Sequence, residues 1–151
     1  MTAEDDRAAA REAAMRLLAR REYAVAEMVQ RLRGRGHDEA LAATVVDELC
    51  DEGLLSEERF VESFVRSRVE RGAGPMKIEA ELRQRGVDVT RAEPHLEEVD
   101  WREQARAVYH QRFGNAEPPA DRREWSRRAR FLQGRGFTAE QVRRVMDVDD
   151  L

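Results

Sequence analysis

The sequence predicts an all-α protein built from tandem repeats of three helices in an elongated arrangement. The signature Leu-x-x-x-Gly occurs three times at a spacing of 50 residues, each time with an arginine before the glycine: Leu32 to Gly36, Leu82 to Gly86 and Leu132 to Gly136. Apolar residues recur at helical spacing along nearly the whole chain, and no segment alternates as a half-buried strand does. A fixed period of this size is typical of stacked units, each burying its flank on the next.

The composition excludes several classes of protein. The chain has 151 residues, of which 41% are hydrophobic and 38% charged, and this apolar content is too high for a wholly disordered chain. No apolar run is long enough to span a membrane, and the acidic N-terminus lacks the features of a signal peptide. The single cysteine, Cys50, fits a reducing compartment. We therefore expect a cytoplasmic protein without a membrane partner.

The first repeat is predicted to span residues 7–53. Its three helices have the following apolar stripes: Ala10, Ala13, Ala14, Leu17 and Leu18, then Val25, Met28, Val29 and Leu32, then Ala42, Val45, Val46 and Leu49. Gly36 ends the second helix because glycine adopts the left-handed conformation without a Cβ clash. Asp38 caps the third helix.

The second repeat is predicted to span residues 54–99. Ser56 is the expected N-cap of its first helix, whose apolar face contains Phe60, Val61, Phe64, Val65 and Val69. Pro75 starts the next helix, which turns Ile78 and Leu82 inward. After Gly86, the spacing of Thr90 and Glu93 predicts a capping box within a third helix over 88–99.

The third repeat is predicted to span residues 100–147. Asp100 with Glu103 and Asp121 with Glu124 have the spacing of helix starts, and Thr138 with Gln141 forms the clearest capping box. Phe137 and Val142 have the spacing of a hydrophobic staple. Residues 1–6 and 147–151 are expected to fray.

No residues have the spacing of a catalytic or metal site. His37, His95 and His110 lie far apart without ligand spacing, and the acids around Cys50 are expected to raise the pKa of its thiol. The glycine-rich segment near Pro75 lacks the pattern of a phosphate-binding loop. We therefore expect no enzymatic activity, no cofactor and no metal.

Charge is unevenly distributed along the chain. Residues 38–58 contain eight acids and no base, whereas residues 101–137 contain nine arginines and four acids. Arg123, Arg127 and Arg130 form a stripe on the eighth helix, flanked by Arg122 and Arg128. Such a stripe binds either an acidic protein groove or a phosphate backbone, although an ordinary solvated face has the same pattern.

Three arginines of the fourth helix have different expected roles. Arg59 and Arg66 lie seven residues apart on its outer side, where they are candidates for partner contact. Arg68 falls within the arc of Phe64 and Val65. We therefore expect a structural ion pair for Arg68, with an acid of the third helix as the suggested partner.

Several segments resemble the RecX family of bacterial recombination regulators over roughly residues 8–146. The most specific is Gly53-Leu54-Leu55-Ser56-Glu57-Glu58-Arg59-Phe60, followed by Val65 and Arg68. Further similarity lies in 17–23, Glu27-Met28 and Leu32, and in Pro75, Ile78, Glu81-Leu82 and Gly86. Ser56-Glu57 stands where the family usually has two aspartates, but serine caps a helix equally well.

The resemblance implies three three-helix repeats in a curved rod and a non-enzymatic regulator, mainly an inhibitor, of the RecA recombinase. Family members bind in the groove of the RecA–single-stranded DNA filament and limit its growth, ATPase, strand exchange and co-protease activity. We expect a monomer whose arginine stripe on the eighth helix, with Arg20 and Arg21 as weaker candidates, contacts RecA or, weakly, DNA directly. The alternatives are a helix-turn-helix-like DNA-binding protein and a generic helical-repeat scaffold.

Overall fold

The structure is a computed structural model that describes residues 2–114 and 117–147. Within those ranges it contains α-helices and one short 3-10 turn, Val89–Arg91, and no strand. The helices are α1 (Ala3–Leu18), α2 (Val25–Gly34), α3 (Glu39–Asp51), α4 (Glu57–Glu70), α5 (Pro75–Gln84), α6 (Glu93–Glu97), α7 (Trp101–Phe113), α8 (Arg122–Gly134) and α9 (Ala139–Met146). The predicted all-α fold class is confirmed.

The chain divides into two compact units. The first contains the chain through Ser63 together with Leu82–Arg91. Its core joins α1, α2 and α3 through residues of the three predicted stripes, and Met28, Leu32 and Leu49 have no exposed surface. Burying a side chain of this size contributes roughly 1.5–3 kcal/mol, so these stripes hold the unit together.

The second unit contains Phe64–Glu81 and the chain from Ala92 onward. Its main core lies among α7, α8 and α9, where Ala105, Val108, Leu132, Phe137 and Val142 are buried. The two tryptophans, Trp101 and Trp125, pack against this core while remaining partly exposed. The two tryptophans therefore lie where the core of this unit meets solvent.

The three signature glycines end α2, α5 and α8 in the same way. Gly36, Gly86 and Gly136 all have positive φ angles, of 95°, 75° and 102°. In each turn the residue after the glycine donates its N–H to the carbonyl of the signature leucine, over 3.2 Å from His37 to Leu32, 3.0 Å from Val87 to Leu82 and 3.3 Å from Phe137 to Leu132. This is the Schellman arrangement. The repeated signature thus encodes a repeated helix end.

Several predicted helix starts are confirmed. The side chains of Asp38, Ser56 and Asp121 accept backbone N–H groups of the first turns that follow them. Thr138 and Gln141 form both hydrogen bonds of a capping box. Each cap satisfies a donor that the helix itself leaves unpaired, typically worth about 1 kcal/mol.

Two expectations about helix starts are wrong. Residues 2–6 do not fray, because Thr2 and Asp5 form a capping box that starts α1 at Ala3. The box predicted for Thr90 and Glu93 is absent: the Asp88 carboxylate accepts the Thr90 N–H and O–H, and α6 starts after Ala92. Proline lacks an N–H and is favoured in the first turn, so Pro94 favours this later start. Of the other residues expected to fray, Met1 and 148–151 lie outside the described residues, and Asp147 is the C-cap of α9.

Arg68 forms the predicted structural ion pair, but with a different helix. Its Nε donates to Glu81 Oε2 on α5 over 2.6 Å, and its guanidinium lies 4.2 Å from the centre of the Phe64 ring. The suggested partner on α3 is therefore wrong. The helical arc placed Arg68 beside the apolar face, but only the packing of α4 against α5 selects the carboxylate it meets.

Candidate partner-binding surface

The helix α8 presents the arginine stripe on the side opposite its core contacts. Ala129 and Leu132 are buried against α7 and α9, whereas Arg123, Arg127 and Arg130 are exposed. At a rise of about 1.5 Å per residue, the Cα atoms of successive arginines in the stripe are about 4.5–6 Å apart along the helix axis. The side chains of Arg122, Arg123 and Arg130 make no hydrogen bond or ion pair with the described residues. The stripe is therefore a row of cations available to an anionic partner.

Glu124 determines the position of the central arginine. Its carboxylate accepts two hydrogen bonds from Arg127, over 2.9 and 2.7 Å. The Arg127 side chain nevertheless keeps 56% of its surface exposed. A bidentate pair restricts the orientation of a guanidinium, so Glu124 limits the motion of Arg127 while reducing the net charge of the stripe.

Arg128 does not flank the exposed stripe as the sequence suggested, because it is only 7% exposed. It donates to Glu124 Oε1 over 2.9 Å and to the Tyr109 hydroxyl of α7 over 2.7 Å. A buried charge requires such partners, and the Tyr109 contact holds α8 to α7. The structure therefore assigns Arg128 a structural position and leaves Arg122 as the exposed arginine beside the stripe.

An aromatic cluster beside the stripe was missed by sequence reasoning. The rings of Phe113 and Phe131 meet edge to face with centroids 5.5 Å apart. Guanidinium groups lie within 6 Å of one or both ring centres: Arg112, Arg127, Arg128 and Arg135. The spacing of Tyr109 and Phe113, four residues apart and therefore neighbours on the surface of α7, was the available signal. Cation–π contacts of this kind are worth about 0.5–1 kcal/mol each at exposed sites.

The hydrogen bonds that Arg127 and Arg128 donate to Glu124 predict a low pKa for its carboxyl group. Hydrogen bonds from Arg127, then from Arg128, lower the pKa of Glu124 from 4.5 to about 2. Because the pKa is lowered by folding, the stabilisation is present above about pH 4.5 and is lost as the pH falls towards about 2. We expect the side-chain carboxyl NMR shift of Glu124 to titrate near pH 2, and Arg127→Ala to raise that midpoint towards 4.5.

Arg130→Ala provides the matched control for this titration. Arg130 lies on the same exposed stripe but does not contact Glu124, so its removal should leave the midpoint nearly unchanged. A wild-type midpoint near 4.5, or equal effects of the two substitutions, would contradict the hydrogen-bonded arrangement.

Two candidate arginines of the first unit are engaged by carboxylates. Arg21 forms two hydrogen bonds with Glu27, which are the main reason that its pKa is raised, and stacks 3.7 Å from the centre of the Tyr23 ring. Arg59 donates to Glu22 and to the Gly53 carbonyl, over 3.1 and 2.8 Å. Both arginines therefore stabilise their own unit. Only the exposed part of each side chain is accessible to a partner.

The other two candidates are exposed. Arg20 follows the end of α1, and Arg66 lies on α4 in the second unit. Five of the predicted arginines, those between Arg122 and Arg130, lie on α8, whereas Arg59 and Arg66 share α4.

The described residues contain no group of three or more histidine, cysteine or acidic side chains that could hold a metal ion. Burial, together with the charges of Asp47, Glu57 and Asp51, raises the pKa of the Cys50 thiol, the direction that the sequence predicted. A thiol of raised pKa is a poor nucleophile at neutral pH.

None of the described helices has the length and apolar character required to cross a bilayer.

The repeated helix ends place the chain among helical-repeat proteins. Sequence models of three RecX domains match it in succession: the first three-helix domain at residues 10–49, the second at 56–93 and the third at 98–146. The chain belongs to the RecX family. The resemblance found in the Gly53–Phe60 segment is thereby confirmed.

Relatives and solved structures agree with this assignment. The chain is 59% identical over 137 residues to the regulatory protein RecX of Halorhodospira halophila, covering 89% of this chain and 84% of that protein. It is 46% identical over 133 residues to RecX of Acidithiobacillus ferrooxidans, covering 88% and 85%. The crystal structure of RecX from Lactobacillus salivarius shares the fold, with a TM-score of 0.79 at 21% identity over 97% of this chain and 98% of that one.

Proposed function

We propose that this chain regulates RecA, mainly as an inhibitor, by binding along the groove of the RecA–single-stranded DNA filament. Bound there, it limits filament growth and reduces ATP hydrolysis, strand exchange and co-protease activity. The observation that carries the proposal is the succession of three RecX domains over most of the chain. We propose that it acts as a cytoplasmic monomer, without a cofactor, through repeats at 7–53, 54–99 and 100–147.

The proposed contact surface is the exposed stripe of Arg123, Arg127 and Arg130, extended by Arg122. Arginine forms bidentate hydrogen bonds with both carboxylate and phosphate, so the stripe suits acidic side chains of the filament or the DNA backbone. Arg20 and Arg66 are secondary candidates. The internal contacts of Arg128 remove it from this surface.

The geometry gives less support to sequence-specific duplex binding. A recognition helix must reach base edges in the major groove, but α6 spans only five residues and α3 carries several acids. On α9, Arg144 is paired with Glu140, which leaves Arg143 as the exposed cation without an ion pair among the described residues. Tight duplex binding without RecA, with a steep dependence on salt, would favour this alternative.

The direct test measures ATP hydrolysis by RecA on single-stranded DNA with substoichiometric amounts of this protein. We expect hydrolysis to fall and the protein to sediment with the filaments. Unchanged hydrolysis together with absence from the filament pellet would rule out the proposal. Sedimentation with RecA-free DNA to the same extent would indicate a DNA-binding protein instead.

A further inference from the structure

The first unit contains an open groove that none of the predicted partner-binding arginines lines. It lies between α2 and the turn after α5, and has a volume of about 570 Å³. Ala26, Gln30 and Arg31 line one wall, and Arg83, Arg85 and Gly86 line the other. A Cβ atom added to Gly86 would lie 2.7 Å from the Ala26 Cβ. The backbone of the turn therefore lies directly against α2 beside the groove.

The lining of this groove is cationic. Three of the residues that line it are arginines, Arg31, Arg83 and Arg85, and one, Glu27, is a carboxylate. Glu27 is already held by two hydrogen bonds from Arg21, over 3.1 and 2.9 Å, and lies 3.7 Å from Arg85. Its negative charge is thus offset within the unit, and Arg31, which is exposed on α2, adds a further positive charge at the wall.

The chemistry of the lining favours a peptide over a nucleic acid. Gln30 and Gln84 lie on the two walls, and an amide side chain both donates and accepts, as a peptide backbone does. Single-stranded nucleic acids are usually held by exposed aromatic faces. The described lining contains no aromatic residue, and the Tyr23 ring, 5.9 Å from the Arg31 guanidinium, is only 4% exposed and is covered by Arg21. Glu27 itself shows how a carboxylate is bound between arginines here.

We propose that this groove binds an extended acidic segment of a partner protein, one that presents two or more carboxylates to Arg31, Arg83 and Arg85. The side chains of Gln30 and Gln84 hydrogen-bond with the backbone of that segment. This site is separate from the arginine stripe of α8, and its existence does not depend on RecA being the partner of the chain.

The test uses the whole chain and a fluorescein-labelled hexaglutamate peptide, with binding followed by fluorescence anisotropy at low salt. We expect saturable binding that Arg31→Glu weakens by about tenfold or more, since reversing a charge changes attraction into repulsion. Arg16→Glu is the matched control, because Arg16 is an exposed arginine of α1 outside the groove. It should change the affinity by less than about twofold. Circular dichroism checks that both variants remain helical.

Three outcomes would overturn this proposal. Absence of saturable hexaglutamate binding would show that the groove does not take acidic peptides. Equal losses in Arg31→Glu and Arg16→Glu would show general electrostatic attraction. Binding of labelled oligo-dT that depends on Arg31, without binding of hexaglutamate, would identify a nucleic-acid site. The assay contains no RecA. A negative result would therefore not affect the proposed regulation of RecA, which the measurement of ATP hydrolysis tests separately.

Discussion

Alanine at the three signature glycines should destabilise the protein in the order Gly36, then Gly86, then Gly136, from least to most. All three positions have positive φ angles, so each substitution carries a strain of roughly 1–2 kcal/mol. Around Gly36 an added Cβ meets nothing within 4 Å. For Gly36→Ala we therefore expect the strain alone, about 1 kcal/mol.

The other two positions add steric clashes of increasing severity. At Gly86 the new Cβ would lie 2.7 Å from the Ala26 Cβ, a side-chain atom. At Gly136 it would lie 2.4 Å from the Lys77 Cβ and 2.6 Å from the Lys77 backbone nitrogen. Overpacking adds roughly 1–3 kcal/mol, so we expect about 2 kcal/mol for Gly86→Ala and about 3 kcal/mol or more for Gly136→Ala.

The large effect at Gly136 has a second cause. The Gly136 carbonyl accepts the Met76 N–H over 2.9 Å, and the Arg135 carbonyl accepts the Gly74 N–H over 2.7 Å. A displaced turn would lose these bonds at the start of α5. Because a domain of this size has roughly 5–15 kcal/mol of stability, Gly136→Ala removes a substantial fraction of it.

Urea denaturation followed by circular dichroism measures these differences in the free energy of unfolding. Gly74→Ala is the matched control for the clash, since Gly74 lacks a positive φ and its added Cβ would lie 2.4 Å from the Gly136 carbonyl carbon. Gly74→Ala should therefore destabilise the protein through the clash alone, without the strain that a positive φ angle adds. Equal losses at all three signature glycines would show that backbone conformation alone accounts for the signature.

Reversing the stripe, with Arg123, Arg127 and Arg130 all changed to Glu, should weaken inhibition of RecA by at least about tenfold. The three side chains are exposed, so helicity should be preserved. The substitution also leaves Glu124 beside a new carboxylate at position 127, which turns the centre of the stripe acidic. Titration of RecA ATP hydrolysis with each variant gives the concentration required for half-inhibition.

A control with the same change of charge separates the stripe from general electrostatics. Arg102, Arg106 and Arg143 are exposed arginines of the same unit that lie on α7 and α9. Their joint change to Glu should affect inhibition far less than reversal of the stripe. If both triple variants lost inhibition equally, only the overall charge of the unit would matter. If inhibition survived reversal of the stripe, α8 would be ordinary solvated surface.

Features that depend on neighbours along the chain were predictable. Leu32, Leu82 and Leu132 are fully buried, and the glycine four residues after each one has the left-handed conformation. Both properties follow from helical spacing and from the lack of a Cβ atom in glycine. The start of α6 was not predicted, because Asp88 and Pro94 compete with Thr90 for the same few residues.

Features that depend on which helices meet were not predictable. Arg127 and Arg128 are adjacent in sequence, yet one is largely exposed whereas the other is held by Tyr109 of α7. The acid that pairs with Arg68 and the groove beside Gly86 likewise join residues of different elements. Helical periodicity places a side chain on an arc of its own helix but does not say which neighbouring helix lies against that arc.

The sequence by itself thus determined the all-helical class and the repeated helix ends, since these depend on local spacing and residue type, and its resemblance to known segments indicated the RecX family. Only the tertiary structure decided which arginines are exposed and which form internal ion pairs. The physical reason is that the fate of a charge depends on burial and on partners within a few ångströms, and residues distant in sequence supply both.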